Sequence, residues 1–224
     1  MKILVTGANG QLGRDVVLEA GRRGFPVVAT DLSEMDITDP AAVEKTVLAE
    51  KPDCVIHCAA YTAVDRAEEE PEVCERINAA GTGNVAAACK KADAKMIYLS
   101  TDYVFDGKGE TFFTPESHPA PVSVYGRTKY QGETAVQAAL DKYFIVRISW
   151  VFGLYGKNFV KTMIDLAGAR EEIGVVCDQI GSPTYTKHLA PLLLDMAQSE
   201  KYGVYHATNS GVCSWFDFAC EIFR

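Results

Sequence analysis

The stretch that decides the fold runs from residue 6 to residue 13 and reads Thr6-Gly7-Ala8-Asn9-Gly10-Gln11-Leu12-Gly13. It follows a short apolar run, Lys2 to Thr6, and opens a segment, 11–22, whose apolar side chains share one helical face. Gly7 permits a tight turn, Gly10 lets a pyrophosphate approach the backbone, and Gly13 lets the helix pack closely on the strand. The stretch therefore predicts a dinucleotide-binding turn, with a tight turn that holds no ligand as the alternative.

Strand-like and helical patterns alternate along the rest of the chain. Further strands are predicted at Pro26 to Thr30, 54–58, 95–99, 143–148, 173–177 and 204–207. Further helices are predicted from the cap Asp39 to Lys51, then at 72–91, 124–140, 157–170, 187–199 and from Ser214. Strands joined by helical crossovers pair in parallel, so we expect an α/β, doubly wound parallel sheet of the Rossmann type.

The chain is expected to divide near residue 150. Residues 1–150 would form the dinucleotide-binding Rossmann domain, and 151–224 would hold its remaining elements interleaved with the start of a small substrate-binding part. The irregular stretch 101–122 exceeds ordinary loop lengths, which suggests a working loop. An amphipathic run reaches Arg224 without glycine or proline, so we expect a truncated sequence; a natural docked helix is the alternative.

Composition excludes several classes of protein. The 224 residues carry 22 Lys+Arg and 30 Asp+Glu, a net charge of −8, which argues against a nucleic-acid scaffold. No apolar stretch approaches the roughly 18 residues that span a bilayer, so we expect a cytoplasmic protein with no membrane partner. Seven scattered cysteines predict free thiols. Cys54, His57 and Cys58 lie in a strand whose alternation separates the histidine from the thiols, so no metal is expected.

Two residues near the glycine turn bear on the choice of cofactor. Asp31 ends the second strand, where an acid that binds the adenosine ribose is expected, and its charge would favour NADH. Arg14 follows the turn and would favour the 2′-phosphate of NADPH. The sequence therefore predicts NADPH or NADH without deciding between them.

A second motif carries the chemistry. Tyr125 and Lys129 are four residues apart and therefore share one helix face. A phenol with a pKa of about 10 is a poor acid–base catalyst near neutrality, but a neighbouring ammonium and the nicotinamide ring favour the phenolate. Thr101 follows the strand 95–99 and lies at the carboxyl edge, where open α/β sheets bind ligands. The predicted catalytic residues are Thr101, Tyr125 and Lys129, of which Lys129 would also hold the nicotinamide ribose.

With these motifs and several longer strings, the chain resembles the extended short-chain dehydrogenases/reductases over essentially its whole length. The glycine turn and the Tyr/Lys pair are typical of the whole superfamily. The remaining strings are Asp36-Ile37-Thr38, Ala59-Ala60-Tyr61-Thr62-Ala63-Val64-Asp65, Ser100-Thr101-Asp102-Tyr103-Val104-Phe105, Arg147-Ile148-Ser149-Trp150-Val151 and Asp178-Gln179-Ile180-Gly181-Ser182-Pro183-Thr184. The Ser-Thr-Asp-Tyr-Val-Phe and Asp-Gln-x-Gly-Ser-Pro-Thr strings are the more specific ones.

The resemblance implies an oxidoreductase that reduces the C4 ketone of dTDP-4-dehydro-L-rhamnose with NADPH or NADH, in dTDP-rhamnose biosynthesis. The resemblance adds cofactor contacts from Asp36, Ile37, Ala59, Ala60, Tyr61 and Asn78. With those argued from the motifs themselves, the predicted cofactor contacts are Gly7, Asn9, Gly10, Gln11, Leu12, Gly13, Arg14, Asp31, Asp36, Ile37, Ala59, Ala60, Tyr61, Asn78, Tyr125 and Lys129. The resemblance also implies sugar contacts from Thr62, Asp102, Tyr103 and Trp150. A helix-packing role for Asn78 and a core role for Trp150 are the alternatives.

Three further expectations follow from the resemblance. A dehydratase or epimerase is the nearest rival, but the glutamate that commonly follows the threonine-aspartate pair in dehydratases is replaced by Tyr103. The regulatory subunit of methionine adenosyltransferase is a rival of another class, because it shares the fold and much of the motif set. We expect a monomer or homodimer without a magnesium bridge, since Asp15 and residues 185–187 do not reproduce the acidic set of some relatives.

Overall fold

The computed structural model describes residues 1–109 and 111–224; residue 110, inside the predicted working loop, lies outside this description. Six parallel strands form the central sheet in the order β2-β1-β3-β4-β5-β9. Their bounds are β1 Ile3–Thr6, β2 Val27–Thr30, β3 Cys54–His57, β4 Lys95–Thr101, β5 Tyr143–Ile148 and β9 Gly203–His206. The doubly wound parallel sheet is confirmed.

Helices cover both faces of this sheet. Their bounds are α1 Gln11–Arg22, α2 Pro40–Glu50, α3 Val64–Ala67, α4 Pro71–Glu75, α5 Thr82–Ala92, α6 Val124–Ala139, α7 Phe159–Ala167, α8 Thr186–Ala197 and α9 Trp215–Ile222. Alternate β1 residues enter two cores: Ile3 and Val5 pack with α1 and α8, and Leu4 packs with α2, α5 and α6. Because the strands are parallel, their carboxyl ends meet at one edge, which is where the candidate site lies.

Two expected elements differ in the structure. The helix predicted at 72–91 is interrupted by a π-helix, Arg76–Gly81, between α4 and α5. Such irregular turns are frequent at functional sites, and this one carries the buried Asn78. The strand predicted at 173–177 is wrong, since this run has no strand partner and the carbonyl of Val176 accepts a hydrogen bond from the Phe216 amide at the start of α9. A short apolar run does not by itself distinguish a strand from an extended segment packed on a helix.

Residues beyond 150 contribute to the central sheet and to smaller units. The helix α8 and the strand β9 complete the doubly wound core. Two two-stranded sheets join β6 (Val151–Phe152) to β8 (Thr184–Tyr185) and β7 (Ile180–Gly181) to β10 (Cys213–Ser214). Of the helices in the described ranges, none combines the length and hydropathy needed to cross a bilayer.

Candidate active site

The glycine turn lies between β1 and α1, beside the end of β3. Gly7 has a φ of +64°, and a Cβ there would lie 2.7 Å from the Ala59 nitrogen, so both the conformation and the contact require glycine. A Cβ at Gly13 would overlap the Gly7 carbonyl oxygen. These glycines let α1 begin directly against the turn, as the sequence predicted.

The amino end of α1 is suited to an anion. Its N-cap is Gly10, no side chain caps it, and its first turn holds no acidic residue. The amides of the first turn and the helix dipole therefore favour a phosphate group at this position. The open glycine face and the uncapped helix fit the pyrophosphate of a dinucleotide.

Asp31 lies beside this turn. Its carboxylate accepts hydrogen bonds of 2.9 Å from the Asn9 and Leu32 amides, which hold it at the end of β2. Across the turn, the Arg14 guanidinium lies 5.3 Å from the centroid of the Tyr155 ring. The structure thus places Asp31, the residue expected to bind the adenosine ribose, beside the glycine turn. It leaves the choice between NADH and NADPH open.

Gln11 has a second role that the sequence did not indicate. Its side-chain amide donates to the Val151 carbonyl at 3.1 Å and its oxygen accepts from Asn158 at 2.7 Å. Asn158 caps α7, and its side chain also donates to the Gly153 carbonyl. The side chain of Gln11 therefore links the glycine turn to the segment that follows β5, while its backbone stays in the first turn of α1.

The segment after β3 is fixed by Asn78. This amide is 1% exposed, accepts from the Tyr61 nitrogen at 2.8 Å and donates to the Tyr61 oxygen at 3.0 Å. Since both side-chain atoms are occupied, the geometry favours a positioning role for Asn78 over direct contact with a cofactor. It holds Ala59, Ala60 and Tyr61 at the carboxyl edge, next to Gly7.

Asp36 and Ile37 lie where β2 leads into α2. The Asp36 carboxylate accepts from the Thr38 amide and hydroxyl, both at 2.8 Å, and so shapes its own turn. Ile37 is buried against Gly81 of the π-helix, and its carbonyl accepts from Asn84. Both residues therefore shape this segment beside the carboxyl edge.

Thr101 and Tyr125 meet at the same edge. Thr101 ends β4, is buried, and donates to the Asp102 carboxylate at 3.0 Å. Tyr125 lies in the first turn of α6, which is capped by the Ser123 hydroxyl. Its ring packs edge-on against Tyr103, with centroids 5.5 Å apart. The structure thus assembles two of the three predicted catalytic residues and two predicted sugar ligands.

Two glycines allow α6 to reach this position. A Cβ at Gly126 would overlap the Tyr103 carbonyl oxygen and lie 3.2 Å from the Pro121 side chain. A Cβ at Gly132 would overlap the Tyr98 hydroxyl. The helix α6 therefore lies in close contact with both β4 and the segment that follows it.

Burial dominates the electrostatics of the phenol. It raises the pKa of Tyr125 above its ordinary value, although a hydrogen bond with Thr101 opposes the shift. It also raises the pKa of Asp102 to about 6. The expected phenolate therefore differs from this structure, in which a neutral phenol can donate a proton at pH 7.

The position of Lys129 explains in part why the structure favours a neutral Tyr125 phenol where the sequence indicated a phenolate. Its ammonium is buried, donates to the Leu99 carbonyl at 2.7 Å and lies 4.3 Å from the centroid of the Tyr98 ring. Burial lowers the pKa of Lys129 to about 7. The sequence placed Lys129 on the face of Tyr125 correctly, but its hydrogen bond goes to the backbone of β4.

An ion pair that the sequence analysis missed lies behind Lys129. Glu133 is 1% exposed and accepts from Arg147 Nε at 2.9 Å, from Arg147 Nη2 at 2.7 Å and from the Ser100 hydroxyl at 2.5 Å. Its spacing of four from Lys129 could have indicated a shared helix face. The partner Arg147 was not predictable, because it comes from a different strand.

The other two predicted sugar-binding residues are Thr62 and Trp150. Thr62 is exposed beyond β3. Trp150 has a φ of +48° and stacks on Trp215, with centroids 3.6 Å apart, while its indole lies against Gly181. These contacts favour the core alternative for Trp150 over a side chain that faces the sugar.

The thiol and imidazole of the predicted strand form no metal site. Cys54 packs in the core shared with α1, whereas His57 lies on the other face and its ring hydrogen-bonds Thr6 and Thr82. Within residues 1–109 and 111–224, no group of three or more acidic, cysteine or histidine side chains is arranged for a metal.

The family model described as RmlD substrate binding domain matches residues 1–224. A dTDP-4-dehydrorhamnose reductase of Mycolicibacterium smegmatis is 45% identical over all of this chain and 68% of its own length. This chain belongs to the dTDP-4-dehydrorhamnose reductase family. The spore coat polysaccharide biosynthesis protein SpsK of Bacillus subtilis is 40% identical over all of the chain and 78% of its own length.

Solved structures of the family have folds closely similar to that of this chain. The crystal structure of a dTDP-4-dehydrorhamnose reductase from Bacillus anthracis in complex with NADP has a TM-score of 0.97 and 47% identity. It is matched over 99% of this chain and 79% of its own. A structure from Clostridium acetobutylicum has a TM-score of 0.98 and 47% identity, over all of this chain and 80% of its own. The resemblance to extended short-chain reductases is therefore confirmed at the level of this family.

Proposed function

We propose that this protein reduces the C4 ketone of dTDP-4-dehydro-L-rhamnose to the alcohol, with NADPH or NADH as the reductant and Tyr125 as the proton donor. The observation that carries the proposal is the arrangement of Thr101, Tyr125 and Lys129 at the carboxyl edge, beside a glycine turn built for a dinucleotide. Family membership supplies the substrate.

The cofactor would be held by groups already in place. The amides at the start of α1 would bind the pyrophosphate, Asp31 would bind the adenosine ribose, and Lys129 would bind the nicotinamide ribose. A reduced nicotinamide supplies the hydride when bound. The backbone of residues 59–61, held by Asn78, would line the nucleotide.

Reduction adds a hydride to the carbonyl carbon and a proton to its oxygen as the C=O π bond breaks. Tyr125 gives the proton from its phenol, which burial keeps in the protonated form. The Thr101 hydroxyl lies at the same edge and hydrogen-bonds the developing alkoxide. Tyr103, which packs on Tyr125, and the carboxylate of Asp102 would contact the sugar.

Residues 151–224 would combine the last Rossmann elements with the start of a substrate-binding part. Support comes from α8 and β9, which belong to the central core, and from the two small sheets, which lie outside it. A cytoplasmic location and a monomeric or homodimeric state stay predictions from the sequence.

The test follows oxidation of NADPH and of NADH by absorbance, with enzymatically generated dTDP-4-dehydro-L-rhamnose as substrate. Its matched control is dTDP-4-dehydro-6-deoxy-D-glucose, which has the same keto group on a different epimer. We expect oxidation with equimolar alcohol formation for the rhamnose compound. Tightly retained NAD without net oxidation would favour an epimerase or dehydratase. Co-purification with a methionine adenosyltransferase, with no sugar-dependent oxidation, would favour the regulatory subunit.

A further inference from the structure

We propose that the carboxylate of Glu133, fixed by Arg147 and Ser100, is the counter-charge that favours the protonated form of Lys129 inside the protein. The residue would act through Lys129, so it is a positioning residue and not a catalytic one. The inference deepens the function proposed above and rests on the role given there to Lys129.

The first step is the environment of Lys129. Its side chain is buried, and its only hydrogen bond in the described part of the chain goes to a neutral carbonyl, that of Leu99. An ammonium away from water is costly unless an anion or strong dipoles compensate for it. The Tyr98 ring supplies a cation–π contact, which provides part of the compensation.

The second step is that, among the titratable groups around this ammonium, Glu133 favours its charged form most strongly. From β3 and its end come His57, whose pKa burial lowers to about 3, and Cys58, whose pKa burial raises to about 12. Tyr98 of β4 and Tyr125 of α6 have pKa values raised by burial. The groups facing Lys129 further include the thiol of Cys74 of α4 and the carboxyl group of Glu133. Of these groups, Glu133 favours the charged ammonium most, ahead of the two thiols.

The third step is that Glu133 is held in a fixed position close to Lys129. It lies one helical turn after Lys129 on α6, so both project from the same face toward β4. The Arg147 guanidinium binds both of its oxygens, and the Ser100 hydroxyl donates to one of them. Two-point binding to a guanidinium and a further donor fix the position of this carboxyl group.

The same geometry distinguishes an electrostatic role from a structural one. Glu133→Gln and Arg147→Met both break the ion pair and both would destabilise the fold. Their effects on Lys129 have opposite signs, because the first removes an anion near the ammonium and the second removes a competing cation. A purely structural role predicts shifts of the same sign or none.

The experiment measures the titration of Lys129 directly by NMR in the full chain labelled with ¹³Cε-lysine, with the signal assigned from Lys129→Arg. In the wild type we expect a pKa near 7. In Glu133→Gln it should fall by about one unit or more, in Arg147→Met it should rise, and Glu133→Asp should restore most of the wild-type value. No reductase activity enters this readout, so its outcome is independent of the substrate proposed above.

Three results would overturn the proposal: an unchanged Lys129 titration in Glu133→Gln, shifts of the same sign in Glu133→Gln and Arg147→Met, or a wild-type Lys129 that is neutral throughout the neutral range. The last of these needs no variant, so it can refute the proposal even if the substituted chains do not fold. A normal titration shift combined with absent reductase activity would retain the counter-charge and refute the assigned reaction instead.

Discussion

Replacing Gly126 by alanine should displace the catalytic tyrosine without touching it. A Cβ at this position would overlap the Tyr103 carbonyl oxygen, lie 3.0 Å from the Tyr103 carbonyl carbon and lie 3.2 Å from the Pro121 Cβ. Both neighbours on the Tyr103 side are backbone atoms, so the start of α6 has to retreat, by roughly 1 Å, and Tyr125 moves with it. A misplacement of about 1 Å at a reacting centre costs on the order of 100-fold in rate.

The assay compares kcat and cofactor binding for Gly126→Ala and for a matched control, Gly83→Ala. Gly83 also lies in a helix, where α5 continues from the π-helix, but a Cβ there would make an ordinary contact of 3.7 Å with Ala135. We expect kcat to fall about 100-fold in Gly126→Ala with the dissociation constant of NADPH nearly unchanged, and the control to keep its activity. If Gly126→Ala retained full kcat while remaining folded, the close approach of α6 to Tyr103 would have no part in catalysis.

Three other predictions follow from individual contacts. Gly13→Ala should weaken NADPH binding at least about tenfold in titration calorimetry, because the new methyl group displaces the start of α1. The control is Gly21→Ala in the same helix, where a Cβ has no atom within 4 Å, and this variant should bind NADPH normally. Asn78→Ala should lower the free energy of unfolding by about 2–3 kcal/mol and weaken NADPH binding. Asn78→Asp should cost at least as much, because its buried carboxylate would face the Tyr61 carbonyl oxygen that the Asn78 amide now binds; small losses in both variants would refute this role. Asp102→Asn should stabilise the protein at pH 7 by on the order of 1–2 kcal/mol in urea unfolding, and it should have no such effect at pH 4. The reason is that the pKa of Asp102 in the folded protein, about 6, exceeds the ordinary 3.8, so ionisation destabilises the fold only as the pH rises through that window. Equal effects of the substitution at both pH values would contradict this prediction.

The sequence predicted the parts of the molecule that depend on local patterns. The glycine spacing of residues 7–13 specifies a strand–turn–helix unit, and the structure shows that a side chain at Gly13 would overlap the carbonyl oxygen of Gly7. The strand and helix order followed from periodicity, because each buried strand is a short apolar run. The Tyr125/Lys129 spacing put both side chains on one helix face.

What the sequence could not show depends on contacts between distant residues. The pairing of Glu133 with Arg147 joins a helix to the following strand, and no local pattern reports it. Burial, which is a tertiary quantity, raises the pKa of Tyr125 in this structure, and the spacing of Tyr125 and Lys129 along the chain does not report burial. Residues 173–177 have the composition of a strand but no neighbouring strand with which to pair.

The central claim is that the Tyr125 phenol delivers the proton to the reduced ketone. Its most direct test is the single-turnover rate of NADPH oxidation by Tyr125→Phe, which removes the hydroxyl and keeps the ring against Tyr103. The account predicts a fall of about 100-fold or more with an unchanged dissociation constant for NADPH. A rate within a few-fold of wild type, in a variant with normal stability, would contradict it.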